Sequence, residues 1–276
     1  MMLKRAFAGL GGLLLAGIAQ AAPPAPVSLW RLDCGKIVAF DLDEFSDTRA
    51  YVGRHKDLAA SCYLIRHGDT YMLWDTGIPK AMLNHVPDPR QGLDAVLTVT
   101  IVDQLAKLGV KPADIAIIGI SHEHFDHTGQ AADFPNAKLL IGKGDVDDMR
   151  GAGKDHAAAL DHWLNGGGAL EPVVGDKDVF GDGTVTMIDL PGHTPGHHGL
   201  LVRLAHKGYV LLSGDTAHFA ENYETNGVPS FNSNRADTLA SLDRFKKLAA
   251  NLHATVIIQH EQADIAKLPA FPKAAD

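Results

Sequence analysis

Nine consecutive residues, Ser121-His122-Glu123-His124-Phe125-Asp126-His127-Thr128-Gly129, constrain this chain more than any other stretch. Three imidazoles and the Asp126 carboxylate fall there, directly behind the apolar run Ile115-Ala116-Ile117-Ile118-Gly119-Ile120. That run is short, β-branched and unbroken, which predicts a buried strand. The histidines then sit in the loop at the strand's C-terminal end, where rigid scaffolds carry chemistry. Neutral imidazole and carboxylate are natural ligands for zinc and its first-row neighbours. Exposed loops also carry histidines by chance, but H-x-H-x-D-H immediately after a buried strand reads as a metal site.

The rest of the chain has to fold around that loop. With 276 residues, 46% of them hydrophobic, it can bury one large core, and a single domain over 23–276 is expected. Residues 1–22 read as a secretory signal peptide. Lys4 and Arg5 precede the apolar run Ala6 to Ala19, and Ala19-Gln20-Ala21 is a small-x-small cleavage site. The run is too short and too Gly-interrupted for a membrane span. The mature protein is therefore expected in the periplasm or secreted, starting near Ala22 or Pro23, with no stable membrane insertion. Its formal charge is −8 before Lys4 and Arg5 are lost, and no basic run exists, so a nucleic-acid partner is not expected. Two cysteines, Cys34 and Cys62, could pair in an oxidising compartment or stay as buried thiols, since each sits in an apolar, strand-like segment.

Alternating and apolar runs predict strands at Leu29–Phe40, Ser61–Arg66 and Tyr71–Trp74, the last ending in Asp75-Thr76-Gly77. Loops are expected over 43–57 and 83–94. Ile101, Leu105 and Leu108 have helical spacing, with Gly109 as the stop. Beyond the histidine loop come a strand at Lys138–Ile141, helical pieces near 145–150 and 156–164, and strands at Thr184–Asp189, Gly199–Leu204 and Tyr209–Leu212. An amphipathic helix over Thr238–Ala250 and a last strand at Thr255–Ile258 follow. Two groups of strands with helices between them indicate layered α/β architecture, helices outside two packed sheets.

Three more strand ends carry candidate ligands. His193 lies in Pro191-Gly192-His193-Thr194-Pro195-Gly196-His197, Asp215 closes Ser213-Gly214-Asp215, and His260 follows the last strand. With these residues the chain resembles the metallo-β-lactamase superfamily, and within it the N-acyl homoserine lactonases. The segment Asp215-Thr216-Ala217-His218-Phe219-Ala220-Glu221-Asn222-Tyr223, followed by Val228-Pro229 and a long helix, is similar to the lactonases in particular. The resemblance implies a four-layer αβ/βα sandwich with two divalent metal ions at one edge. Zinc is the first expectation, and Mn, Fe or Co are also accommodated.

Carried over, the resemblance implies that His122, His124 and His193 hold one ion and Asp126, His127 and His260 the other, with Asp215 shared. Asp75 would orient a ligating imidazole, and His197 and Thr194 would be turn or supporting groups. The implied activity is opening of a lactone or ester ring by a metal-bridging hydroxide, and hence quorum quenching. Asp126 would orient the nucleophile and return a proton. One departure stands out. Such lactonases usually carry Tyr three residues after the shared Asp, where this chain has His218. His218 would either donate to the oxyanion in its place or stand by as a spectator, with Tyr223 as a substitute.

Several alternatives remain at this stage. A metallo-β-lactamase, or a promiscuous aryl-ester or organophosphate hydrolase, would use the same fold, although β-lactamases mostly lack the shared Asp. Glyoxalase II would need a C-terminal helical domain, and the oxygen-reducing diiron relatives a carboxylate where His124 stands, plus a flavin domain. A metal carrier or silent binder of acylated signals would not need the complete ligand set. Phe45, Leu83, Phe219 and Phe231 line the substrate mouth or belong to the core, and a homodimer is compatible with everything above.

Overall fold

The computed structural model describes residues 24–151 and 155–276; the leader expected over 1–22 lies outside the described residues. One sheet has seven strands: β1 (Val27–Ala39), β2 (Lys56–His67), β3 (Thr70–Trp74), β4 (Leu93–Val96), β5 (Ile115–Ile120), β6 (Lys138–Gly142) and β7 (Leu170–Val173). They lie in the order β4-β1-β2-β3-β5-β6-β7. The other sheet contains β8 (Lys177–Asp178), β9 (Val185–Asp189), β10 (His198–Leu204), β11 (Gly208–Leu212) and β12 (Thr255–Ile257), in the order β12-β11-β10-β9-β8. The helices are α1 (Ile101–Lys107), α2 (Phe125–Thr128), α3 (Lys143–Gly151), α4 (Asp161–Leu164), α5 (Ala220–Thr225) and α6 (Arg235–Leu252).

Three apolar interfaces make this a four-layer αβ/βα sandwich. Between the sheets, Tyr63, Ile65, Met72 and Trp74 pack against Val185, Met187, Leu200, Val202 and Leu212. On the outer face of the large sheet, Leu64, Leu73 and Ile118 meet Ile101 and Leu105 of α1, Val146 and Met149 of α3, and Trp163 of α4. On the outer face of the small sheet, Ile188 and Leu211 meet Phe245 and Ala249 of α6. Strands such as β2 are thus buried on both faces, which is why their runs read as continuously apolar. Each fully buried Leu or Ile there contributes roughly 1.5–3 kcal/mol.

Strand direction then decides where the loops meet. β3 runs parallel to β5 in one sheet. In the other, β9 and β11 are both antiparallel to β10, and β11 is parallel to β12. The C-terminal ends of β3, β5, β9, β11 and β12 carry Asp75, the histidine loop, His193, Asp215 and His260 respectively. The sheets are tied together at this edge. Ala59 of β2 accepts from His260 Nδ1 at 2.8 Å through its carbonyl, and Ser61 O accepts from Gln259 Nε2 at 2.8 Å.

The sequence pattern misses short elements. β4 begins inside the loop expected over 83–94, while β7, β8 and α5 went unforeseen. β4, β7 and β8 are edge or near-edge strands of two to four residues, too short and too polar for alternation to show. α6 starts three residues before Thr238 because the Asn234 side chain accepts from the Ala236 and Asp237 amides.

Cys34 and Cys62 form a disulfide with Cα atoms 5.8 Å apart. It lies directly under the turn after β3. Gly77 there has φ +64°, and a β-carbon on it would come 2.5 Å from Cys34 Cβ and 2.9 Å from Cys34 Sγ. The Cys34 carbonyl accepts from the Ile78 amide at 3.2 Å. The bridge therefore buttresses the Asp75-Thr76-Gly77 turn from below. The double variant Cys34→Ala/Cys62→Ala is expected to lose about 2–4 kcal/mol of unfolding free energy. Urea denaturation checks this, and reductant should bring the wild type to the same midpoint; equal stability of both proteins would show that the bridge contributes nothing.

Candidate metal centre

Seven side chains from four strand ends converge at the sandwich edge in two groups. In the first, His122 Nε2, His124 Nδ1 and His193 Nε2 form a triangle with sides of 3.0, 3.0 and 3.1 Å. In the second, Asp126 Oδ2 lies 3.3 Å from His127 Nε2 and 3.6 Å from His260 Nε2. Asp215 stands between them. Its Oδ2 is 3.4 Å from His193 Nε2 and 3.7 Å from His122 Nε2, while its Oδ1 is 3.4 Å from His127 Nε2 and 3.1 Å from His260 Nε2. One carboxylate oxygen thus faces each group.

The hydrogen bonds at the rear of the rings explain why lone pairs point inward. His193 Nδ1 donates to Asn232 Oδ1 at 2.8 Å, His260 Nδ1 to Ala59 O, and His127 Nδ1 to Asp75 Oδ2 at 2.9 Å. A ring that donates from Nδ1 in its neutral form presents a bare Nε2 on the other side. Asp75 is itself fixed. It is fully buried, and its carboxylate accepts from the Ser121 amide at 2.7 Å and the Ser121 hydroxyl at 3.0 Å. His197 donates from Nδ1 to Leu190 O and accepts the Asp215 amide on Nε2 at 2.7 Å, so it sets the backbone of the shared carboxylate.

The donor set fits metal ions. Three imidazole nitrogens meeting at 3 Å cannot all be satisfied by protons, whereas nitrogens on one zinc-sized ion in tetrahedral geometry stand about 3.3 Å apart. His127 Nε2 and Asp215 Oδ1 are buried with no hydrogen bond among the described residues, an arrangement that costs energy unless a cation lies between such groups. Electrostatics point the same way. Burial and the neighbouring imidazoles hold His122 and His193 well below the usual histidine range, so both are neutral ligands. Burial pushes His197 down to about 3. Burial opposes charge on Asp215 too, yet His260, His218, His127 and His122 drive its pKa well below the usual carboxylate value. Burial likewise disfavours charge on His127, but Asp126, Asp215 and Asp75 raise it well above its ordinary value. The second group demands positive charge, which a divalent cation supplies.

A pocket of about 250 Å³ opens over the two groups, lined by Ile37, Phe45, Leu93, Phe125 and Phe231 beside His124, Asp126, Asp215, His218 and His260, with Glu44 on its wall. His218 is buried and lies parallel to His260 with ring centroids 5.6 Å apart. The ring edges of Phe45 and Phe231 flank it at 5.0 and 5.9 Å. Neither His218 nitrogen makes a hydrogen bond among the described residues, and Nε2 is 3.1 Å from Asp215 Oδ2.

The structure brings together His122, His124, Asp126, His127, His193, Asp215, His260 and His218. It does not bring Tyr223, and this corrects the expectation of a substitute tyrosine. Tyr223 lies on α5, and that face of the helix turns toward α6. Its ring packs against Phe245 at 6.1 Å and under the Lys246 amine. Of the four apolar candidates, Phe45 and Phe231 line the pocket, Phe219 is fully buried and Leu83 is bridged to Leu97 outside it. Sequence reasoning missed Asn232, Glu44 and Asp145. The Asp145 carboxylate accepts from the Gly196 amide at 2.6 Å, Thr194 Oγ1 at 3.0 Å and the Glu123 amide at 3.1 Å, clamping the two histidine loops together. Burial raises its pKa to about 7 against those three donors. No local pattern announces any of these, since each acts across more than 20 residues or through tertiary approach.

Comparisons with known proteins agree with this geometry. The family model of the metallo-beta-lactamase superfamily matches residues 55–260. The N-acyl homoserine lactonase AttM of Rhizobium radiobacter is 34% identical over 189 residues, 62% of this chain and 68% of that protein. An N-acyl homoserine lactone hydrolase solved with N-hexanoyl-L-homoserine at its catalytic metal centre superimposes with a TM-score of 0.77 at 23% identity, covering 91% of this chain and 100% of that one. AidC, a dizinc quorum-quenching lactonase, superimposes with a TM-score of 0.66 at 19% identity, over 92% of this chain and 91% of its own.

Because the Asn232 side chain accepts from Nδ1 of His193 and so fixes the rear of that ring, Asn232→Ala is expected to weaken zinc binding about 10–100-fold. Competition with a chromophoric chelator measures this, and unchanged affinity would show that the hydrogen bond does not orient the ring.

Proposed function

The chain belongs to the metallo-beta-lactamase superfamily, as a metal-dependent hydrolase of its lactonase-like branch acting on ester bonds, and from that premise we propose that it opens lactone rings of the N-acyl homoserine lactone type. The observation that carries the proposal is the Asp215 carboxylate, divided between two nitrogen-rich groups on the floor of a pocket with an apolar mouth. We further propose that residues 1–22 export the protein and that the mature enzyme works in the periplasm or outside the cell.

In this reading His122, His124 and His193 hold one divalent ion, Asp126, His127 and His260 the other, and Asp215 is shared. When bound, the pair would supply Lewis acidity to the ring carbonyl and would lower the pKa of the attacking water towards working pH. Everything else falls to the chain's own groups. Asp75 and Ser121 hold His127, and Asn232 holds His193, so neither ring reorients as charge develops. Asp126 faces the pocket. Burial opposes its charge, but His127 and His260 keep its pKa below the ordinary value. It is therefore an acceptor for the proton of the attacking water and returns that proton to the ring oxygen as the C–O bond breaks. Water adds across one ester bond and the product is the ring-opened hydroxy acid. His218 offers a nitrogen donor to the carbonyl oxygen as it becomes an oxyanion. Phe45 and Phe231 keep competing water from that ring. The apolar wall of Ile37, Leu93, Phe125 and Phe231 suits an acyl chain.

A kinetic panel on metal-assayed protein tests the proposal: acyl homoserine lactones of graded chain length, a cephalosporin and a phosphotriester. Lactone kcat/KM is expected to exceed the others by at least about tenfold, roughly 1.4 kcal/mol of transition-state preference, and to vanish on chelation. Faster chelator-sensitive turnover of the β-lactam or the phosphotriester would overturn it. The variant His218→Tyr, which restores the phenol common in lactonases, is expected to retain turnover and to shift lactone chain-length preference. Loss of turnover on every substrate would show that the imidazole itself is required.

A further inference from the structure

One polar side chain of the pocket has no place in the reaction above. Glu44 sits in a single 3-10 turn, Leu42–Phe45, and lines the pocket beside Ile37, Leu93 and Phe231. Its carboxylate makes no hydrogen bond or ion pair among the described residues, although its backbone is firmly held. The Glu44 carbonyl accepts from both the amide and the hydroxyl of Ser230 at 2.9 Å, next to Phe231. The Gly92 carbonyl accepts from the amides of Phe40 and Asp41, which fixes the strand opposite. The carboxylate lies against Gly92 so closely that a β-carbon there would come 2.2 Å from Glu44 Oε1. Gly92 has no unusual backbone conformation, so the missing side chain serves only to leave this room. The next residue, Phe45, packs its ring edge on His218.

An ionised carboxylate only accepts hydrogen bonds. On a wall otherwise made of apolar carbon it is matched by a substrate that brings a donor. Burial and the neighbouring Asp41 both raise the Glu44 pKa, as expected for an acceptor short of donors. In an N-acylated lactone the amide nitrogen is bonded to the ring carbon next to the reacting carbonyl. The nitrogen thus stands two bonds from the carbon attacked, at the junction of ring and acyl chain, and Glu44 lines the same pocket as His124, Asp126, Asp215 and His260.

Resting on the lactonase reading, we propose that Glu44 accepts the amide N–H of the substrate, so that this pocket selects the acylamido substituent and not the lactone ring alone. A half-buried acceptor that a bound substrate covers disfavours analogues lacking the donor, because the acceptor then loses its water without recompense.

The test uses full-length, metal-loaded protein and two matched probes, N-hexanoyl homoserine lactone and its analogue with a methylene in place of the amide N–H. Wild type is expected to favour the amide by at least about tenfold in kcat/KM, the low end for a hydrogen bond to a charged group. Glu44→Ala should collapse that ratio toward one, chiefly through KM, with Glu44→Gln intermediate. Gly92→Ala keeps the carboxylate in the chain but pushes it aside, and should lower the same ratio. Equal turnover of both probes by wild type, or an equal loss on both probes in the variants, would overturn the role of Glu44 while leaving the lactonase reading intact. A wild type that opens neither probe would take both readings down.

Discussion

A single carboxylate shared by two nests of nitrogen organises this edge of the molecule. Asp215 lies within 3.1–3.7 Å of five imidazole nitrogens, those of His122, His193 and His218 on Oδ2 and those of His127 and His260 on Oδ1. Lone pairs gathered this closely repel one another, and a buried carboxylate without a cation is costly. Opposite unit charges at such distances attract by about 4 kcal/mol at the effective dielectric of a protein, so cations there stabilise groups that no combination of protons can satisfy together. The fold has to hold the ligands in place against that repulsion before any ion arrives.

It does so from behind. His127, His193 and His260 are each pinned by an acceptor on the far side and His122 by the Ser121 hydroxyl of its own loop, and the pins come from different elements. The turn after β3 supplies Asp75, β2 supplies the Ala59 carbonyl, and the segment before α6 supplies Asn232. The disulfide under Gly77 adds a covalent support beneath the first of these. From Cys34–Cys62 to Gly77, Asp75 and His127, contacts run unbroken from the core cluster of the large sheet to the second ligand group. Rigidity at the centre is therefore inherited from sheet packing, and the loops themselves need little intrinsic order.

This arrangement explains what the sequence could and could not disclose. The ligands were legible because each follows an apolar strand, so the strand pattern and the residue type coincide at Ser121–His127, His193, Asp215 and His260. Long, doubly buried strands such as β2 and β5 were legible for the same reason. β4 and β8 were not, because two to four residues at a sheet edge are held by neighbours and not by pattern. Asn232, Asp145 and Glu44 were hidden for a related cause. Asn232 and Asp145 meet partners 22 to 51 residues away and Glu44 meets Gly92 and Ser230 only through tertiary approach, so nothing in the local sequence marks them. Tyr223 misled because closeness in sequence was taken for closeness in space. One helical turn in α5 is enough to rotate its ring onto Phe245.

His218 shows how a shorter side chain can occupy a position where related lactonases usually carry a phenol. An imidazole reaches less far from the backbone than a tyrosine hydroxyl does, so its donor is drawn back toward the shared carboxylate, to 3.1 Å from Asp215 Oδ2. The space a phenol would fill is bordered by the edges of Phe45 and Phe231, while the ring face rests on His260. A donor seated deeper in an aromatic collar meets the carbonyl oxygen only after the substrate has itself moved deeper. The histidine and the Glu44 carboxylate line one pocket, so the reach of the side chain at position 218 and the acidic wall bear on the same substrate.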